Sequence, residues 1–498
     1  MPHTPLLSQI ADLARRVRED GPPISRRSFL GASAAAMATL PAAAQSGKRI
    51  VIVGGGLAGL TCGYRLHQEG ISADLYEASA RPGGRCWTLR GAFDEGQTAE
   101  RGGELIDQQH TAIRQLCQEL RLDLDNLLMA EPNGGTSFYY FGGAPYSYTD
   151  AVSDLKSISK KLHSDLIAAG YPTTYYRSTP RGRELDAMSI IDWLNESVPG
   201  GASSRLGRLL DVAYNIEYGE ECSQQSALNL IYLLGYSGAG QLRLFGPSNE
   251  KYHVRGGNDQ IATRLAAAVS GSIRYGYALT AIARSSDGSY LLTFRTGNRT
   301  EKVPADRVVL ALPFSILRTL DYSQAGFRPL KEKAIREQGM GANAKLHLQF
   351  RTRHWNALGN TGDTVSDRGY QDTWEVTRAQ AGSGGILVNY TGGNVARAAA
   401  GTSPQTVLSR IEPVLPGLTT QWNGKSQLEY WPGYALTRGS YSFWKVGQYV
   451  AFAGVEGEIE GGCHFCGEHT SQDSQGYLNG AVETGERAAA EIAKALGK

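Results

Sequence analysis

The feature that most constrains this chain is a glycine-rich turn joining a β-branched run to a helical pattern. Ile50-Val51-Ile52-Val53 reads as a short buried parallel strand. Gly54-Gly55-Gly56-Leu57-Ala58-Gly59-Leu60 follows it, and a helical pattern then runs to His67. In such a turn Gly54 permits the tight bend, Gly56 admits a pyrophosphate, and Gly59 lets helix and strand pack closely. Ala58 sits in the first helical turn. Phosphate charge then faces the unpaired N–H groups at the helix start. A second strand, Ala73-Asp74-Leu75-Tyr76, ends at Glu77, placed to accept hydrogen bonds from an adenosine ribose. A lone glycine fingerprint is weak evidence. Strand, turn, helix and acid in this order predict a Rossmann-like α/β domain that binds a dinucleotide.

The 45 residues before it read as an address. Ser25-Arg26-Arg27-Ser28-Phe29-Leu30 resembles a twin-arginine export signal. It precedes the apolar, small-residue stretch Gly31 to Leu40 and Pro41-Ala42-Ala43-Ala44-Gln45, where Ala42 and Ala44 fit a signal-peptidase site. The apolar stretch is too short to span a bilayer stably. Export of a folded protein, to the periplasm or beyond, is the expectation, and this route suits a cofactor bound before transport. The leader holds five arginines and three acids, so its removal takes the net charge from +2 to near neutral. Nothing there suggests a nucleic-acid partner.

At 498 residues the chain is too long for one ordinary core, and two interleaved domains are expected. Six scattered cysteines make no disulfide scaffold. Cys463-His464-Phe465-Cys466 has a redox-like spacing but lies on a predicted strand, and whether the two thiols pair is left open. No cluster suggests a metal, and no nucleophile triad is evident.

Glu77-Ala78-Ser79-Ala80-Arg81-Pro82-Gly83-Gly84-Arg85 resembles the second FAD motif of the flavin amine oxidase superfamily, which includes monoamine, polyamine and L-amino-acid oxidases. Gly84 lets backbone amides approach the pyrophosphate, and Arg85 can supply charge-assisted hydrogen bonds. The closing segment, Phe465-Cys466-Gly467-Glu468-His469-Thr470 and then Gln475-Gly476-Tyr477-Leu478-Asn479-Gly480 onward, looks like the last motif of the same family. There a turn such as Gly467-Glu468 meets the flavin, and a helix starting near Leu478 places its dipole beside the reduced ring. Tyr252-His253-Val254-Arg255-Gly256-Gly257 and Arg307-Val308-Val309-Leu310 are similar to further family segments.

The resemblance implies a glutathione-reductase-like FAD-binding domain built from residues 46–129, 246–330 and 431–498, after a leader of residues 1–45. An α+β substrate domain of residues 130–245 and 331–430 is interleaved with it. It also implies site residues. Lys345, in the alternating run Gly341 to Phe350, falls where the family holds a lysine-bound water against the flavin. The alternation alone reads as a solvent-facing strand lysine. Tyr441 and Tyr477 match the two aromatic positions that orient an amine. Ser440 stands where monoamine oxidases carry the flavin-linked cysteine, so FAD is expected to be noncovalent.

Glu100-Arg101-Gly102-Gly103-Glu104-Leu105-Ile106-Asp107 aligns with the loop beside the flavin, where Gly102, Gly103 and Glu104 are expected to touch the cofactor. L-Amino-acid oxidases carry a carboxylate-binding arginine at the place of Leu105. Its absence favours di- or polyamines, with Glu104 and Asp107 attracting a distal ammonium. Arg243 or Arg438 binding a carboxylate instead keeps a basic amino acid such as L-arginine open as an alternative. The implied reaction passes hydride from the carbon bearing the amine to FAD and yields an imine that hydrolyses. The electron acceptor is O2, giving H2O2, or another acceptor. Oligomeric state is not legible, although a homodimer is compatible.

Overall fold

The computed structural model describes residues 47–132, 134–236, 244 and 248–498. The leader of residues 1–45 and Arg243 lie outside the described residues.

A five-stranded sheet organises the first half of the architecture. Its order is Cys463–Phe465, Arg307–Leu310, Ile50–Val53, Asp74–Glu77 and Ile273–Tyr275, every pair parallel. Ile50–Val53 is central and all four of its residues are buried, as a continuous β-branched run covered on both faces requires. Helix Leu57–Gln68 follows directly and packs on helix Leu478–Ala495. The contact is close because a Cβ on Gly485 would collide with the Ala58 carbonyl oxygen. Chain segments hundreds of residues apart thus share one sheet. A four-stranded sheet, Arg299–Ala305, Tyr290–Thr296, Ala278–Arg284 and Asp321–Gln324, joins it through Phe294, which stacks on Tyr76 at 4.5 Å between ring centres.

The second half is α+β. Seven strands run in the order Trp422–Tyr430, Asn343–Phe350, Gly385–Gly392, Gln371–Glu375, Asn360–Ser366, Thr136–Phe141 and Ala144–Tyr146. Helices lie against them, among them Tyr148–Ala169, Arg205–Tyr218 and Ala227–Leu234. All eight residues of Asn343–Phe350 are buried. This corrects the solvent-facing reading of its polar alternation. Asn343, Lys345 and Gln349 hydrogen-bond to backbone or side chains elsewhere in the chain. The strand lies between two neighbours, and the loops of residues 94–104 cover Lys345 and Gln349.

Helix Arg205–Tyr218 is capped by Ser204, whose hydroxyl accepts from the Gly207 N–H at 3.0 Å. It stops at Gly219, in the left-handed region with φ of 68°, where a Cβ would collide with Asn343 Oδ1. That stop leaves Glu217 and Tyr218 at the boundary between the two halves. Among the described residues, no helix is long and apolar enough to cross a membrane.

Candidate active site

A continuous cavity of about 750 Å³ runs from the glycine turn to the seven-stranded sheet. At one end the first turn behaves as its spacing demands. A Cβ on Gly54 would lie 2.6 Å from the Ala311 carbonyl oxygen, and one on Gly59 would collide with the Gly54 carbonyl oxygen. A Cβ on Gly56 would meet nothing within 4 Å and would project into open space. Gly59 therefore secures the turn, while Gly56, Ala58 and Gly84 line the cavity. Helix Leu57–Gln68 has neither a side-chain cap nor an acid in its first turn, so its leading N–H groups are available to an anion. The Glu77 carboxylate is fixed by the N–H groups of Gly55 at 2.5 Å and Ser79 at 2.7 Å. These residues fit the pyrophosphate and ribose of a dinucleotide.

Arg85 reaches from the second motif to the closing one. One of its terminal nitrogens donates to the Ser440 carbonyl at 2.5 Å and to Glu468 at 2.8 Å. The Glu468 carboxylate also accepts from the Ser442 hydroxyl at 2.8 Å and the Gly476 N–H at 2.9 Å. Burial pushes this carboxyl up, but Arg85, His469 and Ser442 outweigh burial and hold it below the usual carboxylate range. Glu468 thus ties together the segments carrying Tyr441 and Tyr477. Leu478 packs over Gly103, where a Cβ would lie 2.5 Å from its side chain. Helix Leu478–Ala495 starts at the cavity with no capping side chain and no acid in its first turn.

Lys345 lies on the floor, 5% exposed. Its ammonium donates to the Glu104 carboxylate at 2.7 Å and to the carbonyls of Gly102 at 2.9 Å and Glu100 at 3.3 Å. The other oxygen of Glu104 accepts from the Trp374 indole at 3.0 Å. Burial raises the Glu104 carboxyl, but Lys345 and then Trp374 bring it below the ordinary range. Glu104 is therefore an engaged carboxylate that orients Lys345. This corrects its expected availability to a distal ammonium.

Tyr441 and Tyr477 both line the cavity, and the Tyr441 ring packs beside Gly476. The Tyr441 hydroxyl donates to the Ile216 carbonyl at 3.0 Å and lies 2.8 Å from the Tyr390 hydroxyl. The Tyr477 hydroxyl donates to Glu217 at 3.3 Å. Burial pushes both phenols well above their usual range, so they stay protonated donors. Ser440 donates to Asn343 Oδ1 at 2.6 Å.

Asp107 does not line the cavity. It is 2% exposed, and its Oδ1 accepts from the Ser248 hydroxyl and the N–H groups of Asn249 and Glu250. Its expected role in contacting substrate is corrected: the carboxylate is turned onto a loop. Two acids absent from the sequence reading line the cavity instead, Glu217 and Glu250. Burial, partly offset by Tyr477, pushes Glu217 up to about 7. Glu250 is exposed, and the acids Asp107 and Glu217 near it disfavour its charged form. Trp374 and Tyr390 complete this wall, their rings 5.2 Å apart. None of the four sits in a local motif, so no sequence pattern marks them.

Arg438 lines the cavity next to Thr437, whose carbonyl accepts from Ser315, just past strand Arg307–Leu310 on the dinucleotide side. Arg101 pairs with Glu429 rather than with Glu104 or Asp107. Cys463 and Cys466 are buried free thiols, and burial pushes the Cys466 thiol up to about 12. Among the described residues, no group of His, Cys, Asp and Glu forms a metal site.

The profile of the family described as flavin containing amine oxidoreductase matches residues 57–493. Over 464 residues the chain is 23% identical to an amine oxidase [flavin-containing] of Danio rerio, covering 90% of this chain and 86% of that protein. It is 23% identical over 461 residues to an L-amino acid dehydrogenase of Synechocystis sp. (strain ATCC 27184 / PCC 6803 / Kazusa), covering 89% and 94%. The solved structure of cyclohexylamine oxidase from Brevibacterium oxydans IH-35A superposes with a TM-score of 0.79 at 20% identity. It covers 91% of this chain and 100% of that one, a likeness of fold.

Proposed function

From the premise that this chain belongs to the flavin-containing amine oxidoreductases, with FAD as its cofactor, we propose that it oxidises a di- or polyamine. The observation that carries this substrate class is the acidic wall. Glu217 and Glu250 line the same cavity as Tyr441 and Tyr477. A second ammonium there meets two carboxyl groups, the half-buried Glu217 and the exposed Glu250, and favours their ionised forms.

FAD, when bound, accepts the hydride equivalent lost from the carbon bearing the amine. The glycine turn, Glu77 and the start of helix Leu478–Ala495 fit that group. Tyr441 and Tyr477 orient the reacting amine and exclude water, while Lys345, held by Glu104, places a fixed cation beside the reaction. The imine released hydrolyses to a carbonyl compound, and in this reading O2 is reduced to H2O2. Ser440 supplies no thiol, which supports noncovalent FAD; acid precipitation should then release all the flavin. The arginine pair and apolar leader support export by the twin-arginine route.

A basic amino acid is the second reading, supported by the L-amino acid dehydrogenase relative and by Arg438 on the cavity wall. Anaerobic bleaching of the flavin by putrescine, spermidine, phenylethylamine, L-arginine and L-leucine, followed by peroxide measurement in air, separates the two. Preference for L-arginine over its decarboxylated amine would overturn the di- or polyamine assignment.

A further inference from the structure

Asp107 and Glu250 are 143 positions apart yet share one structural device. The segment from Ser248 to Tyr252 is laid along residues 106–108. Ile106 and Tyr252 exchange backbone hydrogen bonds of 2.8 Å, and the Gln108 N–H donates to Asn249 Oδ1 at 3.0 Å. Oδ1 of Asp107 collects three donors from this segment: the Ser248 hydroxyl at 2.8 Å, the Asn249 N–H at 3.0 Å and the Glu250 N–H at 2.7 Å. Glu250 has a φ of 48°, in the left-handed region that side-chain-bearing residues seldom adopt. Its backbone is therefore held by Asp107 in a conformation it would otherwise leave.

The outcome is a carboxyl group facing the cavity. Glu217, the other acid on this wall, receives the Tyr477 hydroxyl and so belongs to the aromatic end. Glu250 lines the cavity, its side chain is exposed, and it receives no side-chain or backbone donor among the described residues. A carboxyl held on the cavity wall with no donor of the protein's own is free to meet a ligand cation there.

We propose that Glu250 is the specificity-determining residue for the distal ammonium of a di- or polyamine, and that Asp107 is a positioning residue that aims it. This inference rests on the amine-oxidation reading and goes further by naming the group that selects a dication over a monocation. Asp107 acts through the backbone of residues 249 and 250, without touching substrate.

The test compares putrescine with butylamine, which has the same chain length and lacks the second ammonium, in FAD-loaded enzyme. Glu250→Gln should lower the putrescine-to-butylamine ratio of kcat/KM roughly 10- to 100-fold, mainly through KM for putrescine. Asp107→Ala should lower the same ratio, and Asp107→Asn, which keeps an oxygen to receive the two N–H groups, should restore it. Asp107→Ala added to Glu250→Gln should change the ratio little further, because both act through one carboxyl. If Asp107→Ala fails to fold, the Glu250→Gln ratio still decides. Equal loss for both amines in Glu250→Gln, or an unchanged ratio, overturns the inference while amine oxidation stands. An unmodified enzyme whose flavin is bleached by no amine instead overturns the amine-oxidation reading beneath it.

Discussion

Lys345 and Glu104 form a buried ion pair of 2.7 Å, their side chains 7% and 6% exposed. Lys345 reaches the site on a strand of the seven-stranded sheet, one in from its edge, and Glu104 on a loop of the flavin half. The pair therefore fastens the two halves at the floor of the cavity. Its position suits chemistry in which a cation must stay fixed while charge develops next to it.

Removing one partner isolates the other. Lys345→Met should leave Glu104 buried without its cation and lower stability by about 3–5 kcal/mol, while turnover falls by about 10²–10³. Lys345→Met with Glu104→Met should recover much of the stability and none of the turnover. Denaturant melts and stopped-flow flavin reduction measure the two effects; a double variant as slow and as unstable as Lys345→Met would refute the pairing argument.

The two glycines of the first turn should separate binding from folding. Gly56→Ala projects a methyl into open space, so the protein should fold normally and bind FAD about 10- to 100-fold more weakly. Gly59→Ala drives a methyl into the Gly54 carbonyl and should lower stability by about 1–3 kcal/mol or more. Flavin absorbance per protein and the apoprotein Tm provide the readouts.

Arg85→Gln should leave Glu468 buried without its cation, held only by Ser442 and the Gly476 N–H, at a cost of about 3 kcal/mol. The sign with pH follows from Glu468 being held below its usual range. Its contribution is present above the unfolded carboxylate value and is lost as pH falls through the folded one. The unmodified protein should therefore lose stability on acidification below about pH 4.5, and Arg85→Gln should show a shallower loss.

Glu217 and Glu250 act with the opposite sign. With its folded value raised to about 7, Glu217 keeps its proton in the folded state after the unfolded chain has released it, and the exposed Glu250 contributes less. Stability should fall as pH rises from the ordinary carboxylate range toward 7, and Glu217→Gln should flatten that slope. Ionisation also favours a dication, so KM for putrescine should fall over the same pH rise. A pH-independent Tm and KM across this range would refute the assignment.

Local order along the chain determined the dinucleotide end. Strand Ile50–Val53, the glycine turn, the helix and Glu77 are consecutive, and the conformations they need follow from residue size and spacing. The closing segment was legible only through its resemblance to the family's last motif, and the structure joins it to the second motif through Arg85 and Glu468. Tertiary structure alone decided what the acids do. Glu104 and Asp107 lie in one short loop, yet the first meets a lysine from the other half and the second a segment 141 to 143 positions away. Glu217 reaches Tyr477 across 260 positions. A period-two pattern states that one face of Asn343–Phe350 is polar, but not whether water or another loop covers it. The charge on a carboxyl depends on that covering, because burial and the nearest partner outweigh its intrinsic acidity.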